Sequence, residues 1–99
     1  MAKYELTNKA IDDLTEIWEY TEDKWSEQQA NRYFKSLITT CKKIANNPDI
    51  GKEYAEIKRN LLGLKSGKHI IFYHLVSENT IEVIRIIHEQ MDLKNRMNE

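Results

Sequence analysis

Ninety-nine residues, 40% hydrophobic and 31% charged with a formal charge of −1, describe one domain over residues 1–99 with room for a single modest core. That composition excludes a disordered chain, and no apolar run approaches the roughly 18 residues that a membrane helix needs. Cys41 stands alone, which excludes an internal disulfide and a cysteine zinc site; with no signal-peptide core at the N-terminus, a reduced, cytoplasmic setting is expected.

The first element is "KYELT", Lys3 to Thr7, whose alternation of Tyr4 and Leu6 with charged or polar residues predicts a short, half-buried strand. Asn8 is the expected cap of a helix whose first turns carry Asp12 and Asp13, where the macrodipole favours anions. Ile11, Leu14, Ile17, Trp18 and Trp25 recur at helical steps on one face. Ser26 followed by Gln29 forms a capping box, so this helix ends near Lys24 and Trp25 and a second begins at once. Its apolar face runs through Ala30, Tyr33, Phe34, Leu37, Ile38, Cys41, Ile44 and Ala45. Asn47 precedes Pro48 and is pushed out of the α region, which ends the helix. A connection of only a turn makes the pair an antiparallel hairpin.

Downstream, the pattern predicts a strand from about Ile57, a glycine-containing turn, a long strand from Lys68 to Val76, a tight turn at "SENT" and a last strand from Thr80 to His88. The order strand, helix, helix, three strands places the chain in the α+β class, with one mostly antiparallel sheet. "KHIIFYHL" is apolar at nearly every position, so both faces of that strand need cover. The helical hairpin shields one; the other must meet a further piece of the chain or a partner, and a chain this short has little left over, which hints at a partner. Poor solubility of the isolated chain, or its self-association as a homodimer, is the expected consequence.

Charge is uneven along the chain. Asp12, Asp13, Glu16, Glu19, Glu22 and Asp23 crowd the first helix, whereas Lys52, Lys58, Arg59, Lys65 and Lys68 follow the second. The basic segment suits phosphate or an acidic partner, or is a solvated face. If "SENT" closes the last hairpin, Val76 pairs with about Ile81, Phe72 faces Arg85 and His69 faces His88. Lys65, Lys68, His69, Arg85 and His88 then gather toward one end of the sheet. A metal-independent ribonuclease needs such a base, acid and set of cations, but histidines at strand ends also serve as ordinary hydrogen-bonding residues. Arg85 lies in an apolar strand, so it needs acceptors, from a partner or from a local acid such as Glu82 or Glu89. Trp18 and Trp25 fit the helical core stripe, and Cys41 reads as a buried apolar side chain. No phosphate-binding glycine loop or metal cluster is present in the sequence, so neither metal nor cofactor is expected.

The element order, with "GLKSGKHIIFYHL" (Gly63 to Leu75) and "IEVIRIIHEQMDL" (Ile81 to Leu93), resembles ParE toxins of the RelE/ParE superfamily, the toxic halves of bacterial type II toxin–antitoxin pairs. The most specific piece is the junction of Arg85, Ile86, Ile87 and His88 with Met91, Asp92 and Leu93. The resemblance implies inhibition of DNA gyrase and neutralisation by a ParD-like antitoxin, with no sequence-specific DNA binding by this chain alone. Arg85, His88, Asp92, Lys94 and Arg96 are then the residues expected to meet the target, with Met91 and Leu93 anchoring the tail. The antitoxin is expected to lay an amphipathic segment over Trp18, Trp25, Lys58, Arg59, Ile71 and Tyr73. The related RelE branch cleaves messenger RNA on the ribosome, usually with a tyrosine or histidine near the last strand. Here Tyr54 and Tyr73 lie elsewhere and the tail from Glu89 to Glu99 has no tyrosine. A toxin-like chain that has lost activity and binds only is the third reading.

Overall fold

The computed structural model describes residues 2–98; Glu99, the last residue of the expected tail, lies outside them. Strand β1 (Lys3–Leu6) leads into helices α1 (Asn8–Lys24) and α2 (Glu27–Asn46), then a 3-10 turn at Pro48–Ile50. Strands β2 (Lys52–Glu53), β3 (Leu62–Ser66), β4 (His69–Ser77) and β5 (Thr80–His88) follow, and a short helix α3 (Leu93–Met97) ends the described chain. The five strands form one sheet in the order β1-β5-β4-β3-β2. Only β1 runs parallel to its neighbour, so the α+β class with a mostly antiparallel sheet holds.

Local chemistry places the helices. The cap of α1 is Thr7, one residue before the expected Asn8: its hydroxyl accepts the Ala10 N–H at 3.1 Å and donates to the Ile84 carbonyl at 2.7 Å. One side chain thus ends β1, starts α1 and ties both to β5. Ser26 caps α2 by accepting the Gln29 N–H at 3.0 Å, and α2 stops at Asn46, before the Asn47–Pro48 pair. Ala10, Leu14, Leu37, Cys41, Ile44 and Ala45 from the helices pack on Ile71, Tyr73, Ile81, Val83 and Ile86 of the sheet. Trp25 lies past the packed stripe and is 75% exposed.

The predicted register of the last hairpin survives at its far end, with Phe72 opposite Arg85 and His69 opposite His88. In between, Leu75 rather than Val76 faces Ile81, because Ile84 and Val76 each lack a register partner. The two irregularities, one on each strand, cancel. The bulge at Ile84 also changes which residues face the helices, from Ile81 and Val83 to Ile86.

Two expectations fail here. The strand expected from Ile57 begins at Leu62, since residues 54–60 fold into turns. Tyr54 accepts the N–H groups of Ile57 and Lys58, and Asn60 turns the chain with a φ of 64°. That loop supplies what the sequence left open, because the second face of the sheet is covered by the protein itself. Leu61, Ile70, Phe72 and Ile87 are buried there, with Tyr54, Ile57 and Ile84 packed against them and Leu93 and Met97 of α3 closing over. Tyr54 meets Phe72 edge-on, with ring centroids 5.1 Å apart. Among the described residues no bare, partner-seeking sheet face remains, and the expected insolubility and homodimer lose that basis. Leu75 and Val76, at the end of β4, are half-exposed.

Candidate functional site

At the β3–β4 end of the sheet, the structure brings together His69, His88, Lys65 and Lys68. Gly67, with a φ of 61°, makes the two-residue turn that joins the strands, and a Cβ there would press on the Tyr33 ring at 2.7 Å. Tyr33 of α2 accepts the Lys68 N–H at 3.0 Å and lies 2.6 Å from His69 Nδ1, while the two imidazole rings stand edge to face at 5.2 Å. Burial, reinforced by the neighbouring His88, lowers the His69 pKa to about 4 against the pull of Asp13 and Glu89. His69 is therefore neutral at pH 7. Burial pushes the Tyr33 phenol up, so it keeps its proton, with Nδ1 at 2.6 Å and the Ser66 carbonyl at 3.4 Å within its reach. Whichever of the two groups donates, His69 Nδ1 is engaged by Tyr33. His88 Nδ1 accepts the Gln90 N–H at 3.1 Å, and Lys65 pairs with Glu89 at 3.1 Å.

The buried imidazole has a measurable consequence. Because its folded pKa lies below the ordinary value of about 6.5, the unfolded chain takes up its proton first as pH falls. Stability from this group is present above pH 6.5 and lost towards pH 4, on the order of 2 kcal/mol once its partial solvent access is allowed for. Urea titrations from pH 7 to 4 will show a shallower fall for His69→Gln than for the natural sequence; parallel curves would contradict it.

Arg85 is not part of that cluster. Its Nε donates to Asp13 Oδ2 at 2.8 Å, its Nη2 to Asp13 Oδ1 at 2.9 Å, and its Nη1 to the Arg96 carbonyl. It is 5% exposed, so its guanidinium does not face a target in this conformation. The acid that holds it is neither Glu82, which pairs with His74 at 2.8 Å, nor Glu89, which pairs with Lys65. β1 ends opposite Val83, leaving the outer edge of β5 open beyond it, and Asp13 also takes the Ile86 N–H there at 2.9 Å. Asp13 is thus no dipole-favoured surface acid, and its spacing from Ala10, Leu14 and Ile17 on the packed face was the signal for this.

The tail is a short helix with two sides. Asp92 caps it through the Asn95 N–H and side-chain amide, and Leu93 and Met97 anchor it on the Phe72 cluster. Met91, expected as an anchor, is 50% exposed because the anchoring repeat is four residues, 93 and 97. Lys94 is exposed and Arg96 half-buried.

Of the residues expected to meet an antitoxin, Trp25, Lys58 and Arg59 are exposed, but Ile71 and Tyr73 lie wholly inside the core. The Tyr73 hydroxyl is occupied too, donating to the Pro48 carbonyl at 2.5 Å and accepting the Gly51 N–H at 3.0 Å. Trp18 donates to Asn31 at 2.9 Å and helps line an open apolar groove of about 460 Å³ with Leu6, Ile11, Leu14 and Phe34. Ile11 and Phe34 are the wall residues that pattern reading assigned to packing: they flank the buried stripe of each helix without entering it.

Comparison with known proteins gives a concordant result. A profile of the family described as "ParE toxin of type II toxin-antitoxin system, parDE" matches residues 4–93. Over 96 residues the chain is 35% identical to Toxin ParE1 of Mycobacterium tuberculosis, covering 97% of this chain and 98% of that one. Among solved structures it is similar to the chromosomal ParDE TA system from P. aeruginosa (TM-score 0.76, 16% identity, 89% of this chain and 96% of that one). It is also similar to the toxin–antitoxin complex RelBE2 from Mycobacterium tuberculosis (TM-score 0.68, 15% identity, 89% and 98%). At those identities the two structures speak for the fold alone.

Proposed function

The chain belongs to the ParE family, the toxins of type II toxin–antitoxin systems, and from that premise we propose that it inhibits DNA gyrase in the cytoplasm and is neutralised by a ParD-like antitoxin. The observation that carries this reading over RNA cleavage is the state of the two histidines. His69 Nδ1 is held in a hydrogen bond with the Tyr33 hydroxyl and His88 Nδ1 accepts the Gln90 N–H, so neither imidazole presents a free Nδ1 as a ready base for a 2′-hydroxyl. Lys65 is paired with Glu89, and Arg85 is buried against Asp13, away from the cluster. Lys68 is exposed at that sheet end, and the surface this reading gives to a macromolecular target is the outer side of α3, with Lys94 and Asp92, beyond the end of β5.

The main seat of the antitoxin is the helical side of the molecule. An amphipathic segment laid into the groove between α1 and α2 would cover Ile11, Trp18 and Phe34, at about 25 cal/mol per Å² of apolar surface, with Trp25, Lys58 and Arg59 as exposed contacts elsewhere. Phe34 is 38% exposed, so Phe34→Glu will lower antitoxin affinity roughly 30-fold or more in calorimetry and leave the thermal midpoint nearly unchanged. An affinity equal to that of the natural sequence would place the antitoxin elsewhere.

Expression without antitoxin tests the target. Gyrase inhibition predicts DNA-damage signalling and filamentous cells; prompt arrest of translation with cleaved messages would instead indicate a RelE-like nuclease, and unaltered growth a chain that only binds.

A further inference from the structure

We infer that Asp13 is a positioning residue for target engagement: with Arg85 it forms a buried latch that sets the orientation in which α3 presents its outer face. The inference rests on the reading of α3 as the presented element. Asp13 and Arg85 are 6% and 5% exposed. One guanidinium spans two elements, giving two donors to the Asp13 carboxylate on α1 and a third to the main-chain carbonyl of Arg96 in α3. The carboxylate is itself tied to the sheet edge by the Ile86 N–H at 2.9 Å. Helix α1, far off in sequence, therefore meets the consecutive elements β5 and α3 at one ion pair.

A helix of five residues does not hold its own shape in water, so its conformation depends on what it touches. Leu93 and Met97 give it adhesion to the Phe72 cluster, but apolar contacts are non-directional. The bond from Arg85 to the Arg96 carbonyl is directional, and it fixes the rotation of α3 on that cluster and with it the direction of Lys94. The carboxylate that positions this guanidinium lies in the second turn of α1.

The test must separate orientation from stability. Asp13→Asn combined with Arg85→Met removes both buried charges, keeps an oxygen for the Ile86 N–H and refills much of the volume, so the pair variant folds. It lacks the guanidinium that holds Arg96. In ¹⁵N relaxation the α3 amides are expected to fall from order parameters of about 0.85 to below about 0.6, with sheet amides unchanged. Inhibition of gyrase supercoiling is expected to weaken roughly tenfold or more, and antitoxin affinity to stay within roughly threefold. Should the pair variant fail to fold, Arg85→Lys, which keeps a cation beside Asp13 but cannot fork to both partners, takes its place. Full inhibition by a folded variant, or an α3 as ordered as in the natural sequence, would overturn the latch. If the natural chain leaves gyrase untouched, the target reading fails separately, and growth arrest replaces supercoiling as the activity readout.

Discussion

Arg85→Ala will lower the free energy of unfolding by about 3–5 kcal/mol, measured by urea titration at pH 7. The loss does not reflect the worth of the ion pair, which balances desolvation against attraction. It reflects the Asp13 carboxylate left behind, 6% exposed, which keeps the Ile86 N–H but loses both guanidinium donors. Asp13→Ala strands the guanidinium in the same way and will cost a similar amount. The double variant will cost less than the sum by more than about 1 kcal/mol, because each single change strands a charged partner that the double variant removes. A 99-residue domain holds a total of about 5–15 kcal/mol, so either single variant lives near the edge of folding. Loss of toxicity in Arg85→Ala would therefore say little about a target contact. A cost below about 1 kcal/mol would mean that water reaches the carboxylate and that the pair behaves as a surface one.

Phe72→Ala, on the other side of the sheet, will also cost about 3–5 kcal/mol. Phe72 is fully buried between Ile70, Ile87 and Leu61, with Tyr54 edge-on over it and the α3 anchors above. Removing it opens a cavity under both covers, the 54–60 loop and α3, so loosening of the tail will accompany the loss. Leu75→Ala, three residues on in the same strand but 51% exposed, will stay within about 0.5 kcal/mol and serves as the control. Were the second face bare, as the apolar run alone implied, Phe72→Ala would cost little and improve solubility. Near-equal effects of the two substitutions would show that the face is open in solution.

Those two residues also mark where pattern reading stopped. The helix boundaries were legible because their signals are local: Ser26 with Gln29, and Asn47 before Pro48. The pairings of Phe72 with Arg85 and of His69 with His88 were legible from the turn alone, since the bulge at Ile84 and the extra residue Val76 offset each other. The covered second face was not. Tyr54, Ile57 and Leu61 are scattered among charges in a segment whose alternation imitates a strand, and only the left-handed turn at Asn60 tucks them under the sheet. The partner of Arg85 was hidden for a different reason. Asp13 lies 72 positions away, so proximity in sequence favoured Glu82 and Glu89, both already engaged across strands. At the sheet end, composition correctly gathered the histidines and lysines, but their protonation follows from burial and from Tyr33, which a list of basic residues does not contain.

Purified chain added to gyrase with relaxed plasmid and ATP tests the central claim most directly, with a ribosome translating a defined message run alongside. Loss of supercoiling that is restored by antitoxin, with the message intact, is the predicted result. Undisturbed supercoiling together with a message cut at the ribosome would contradict it.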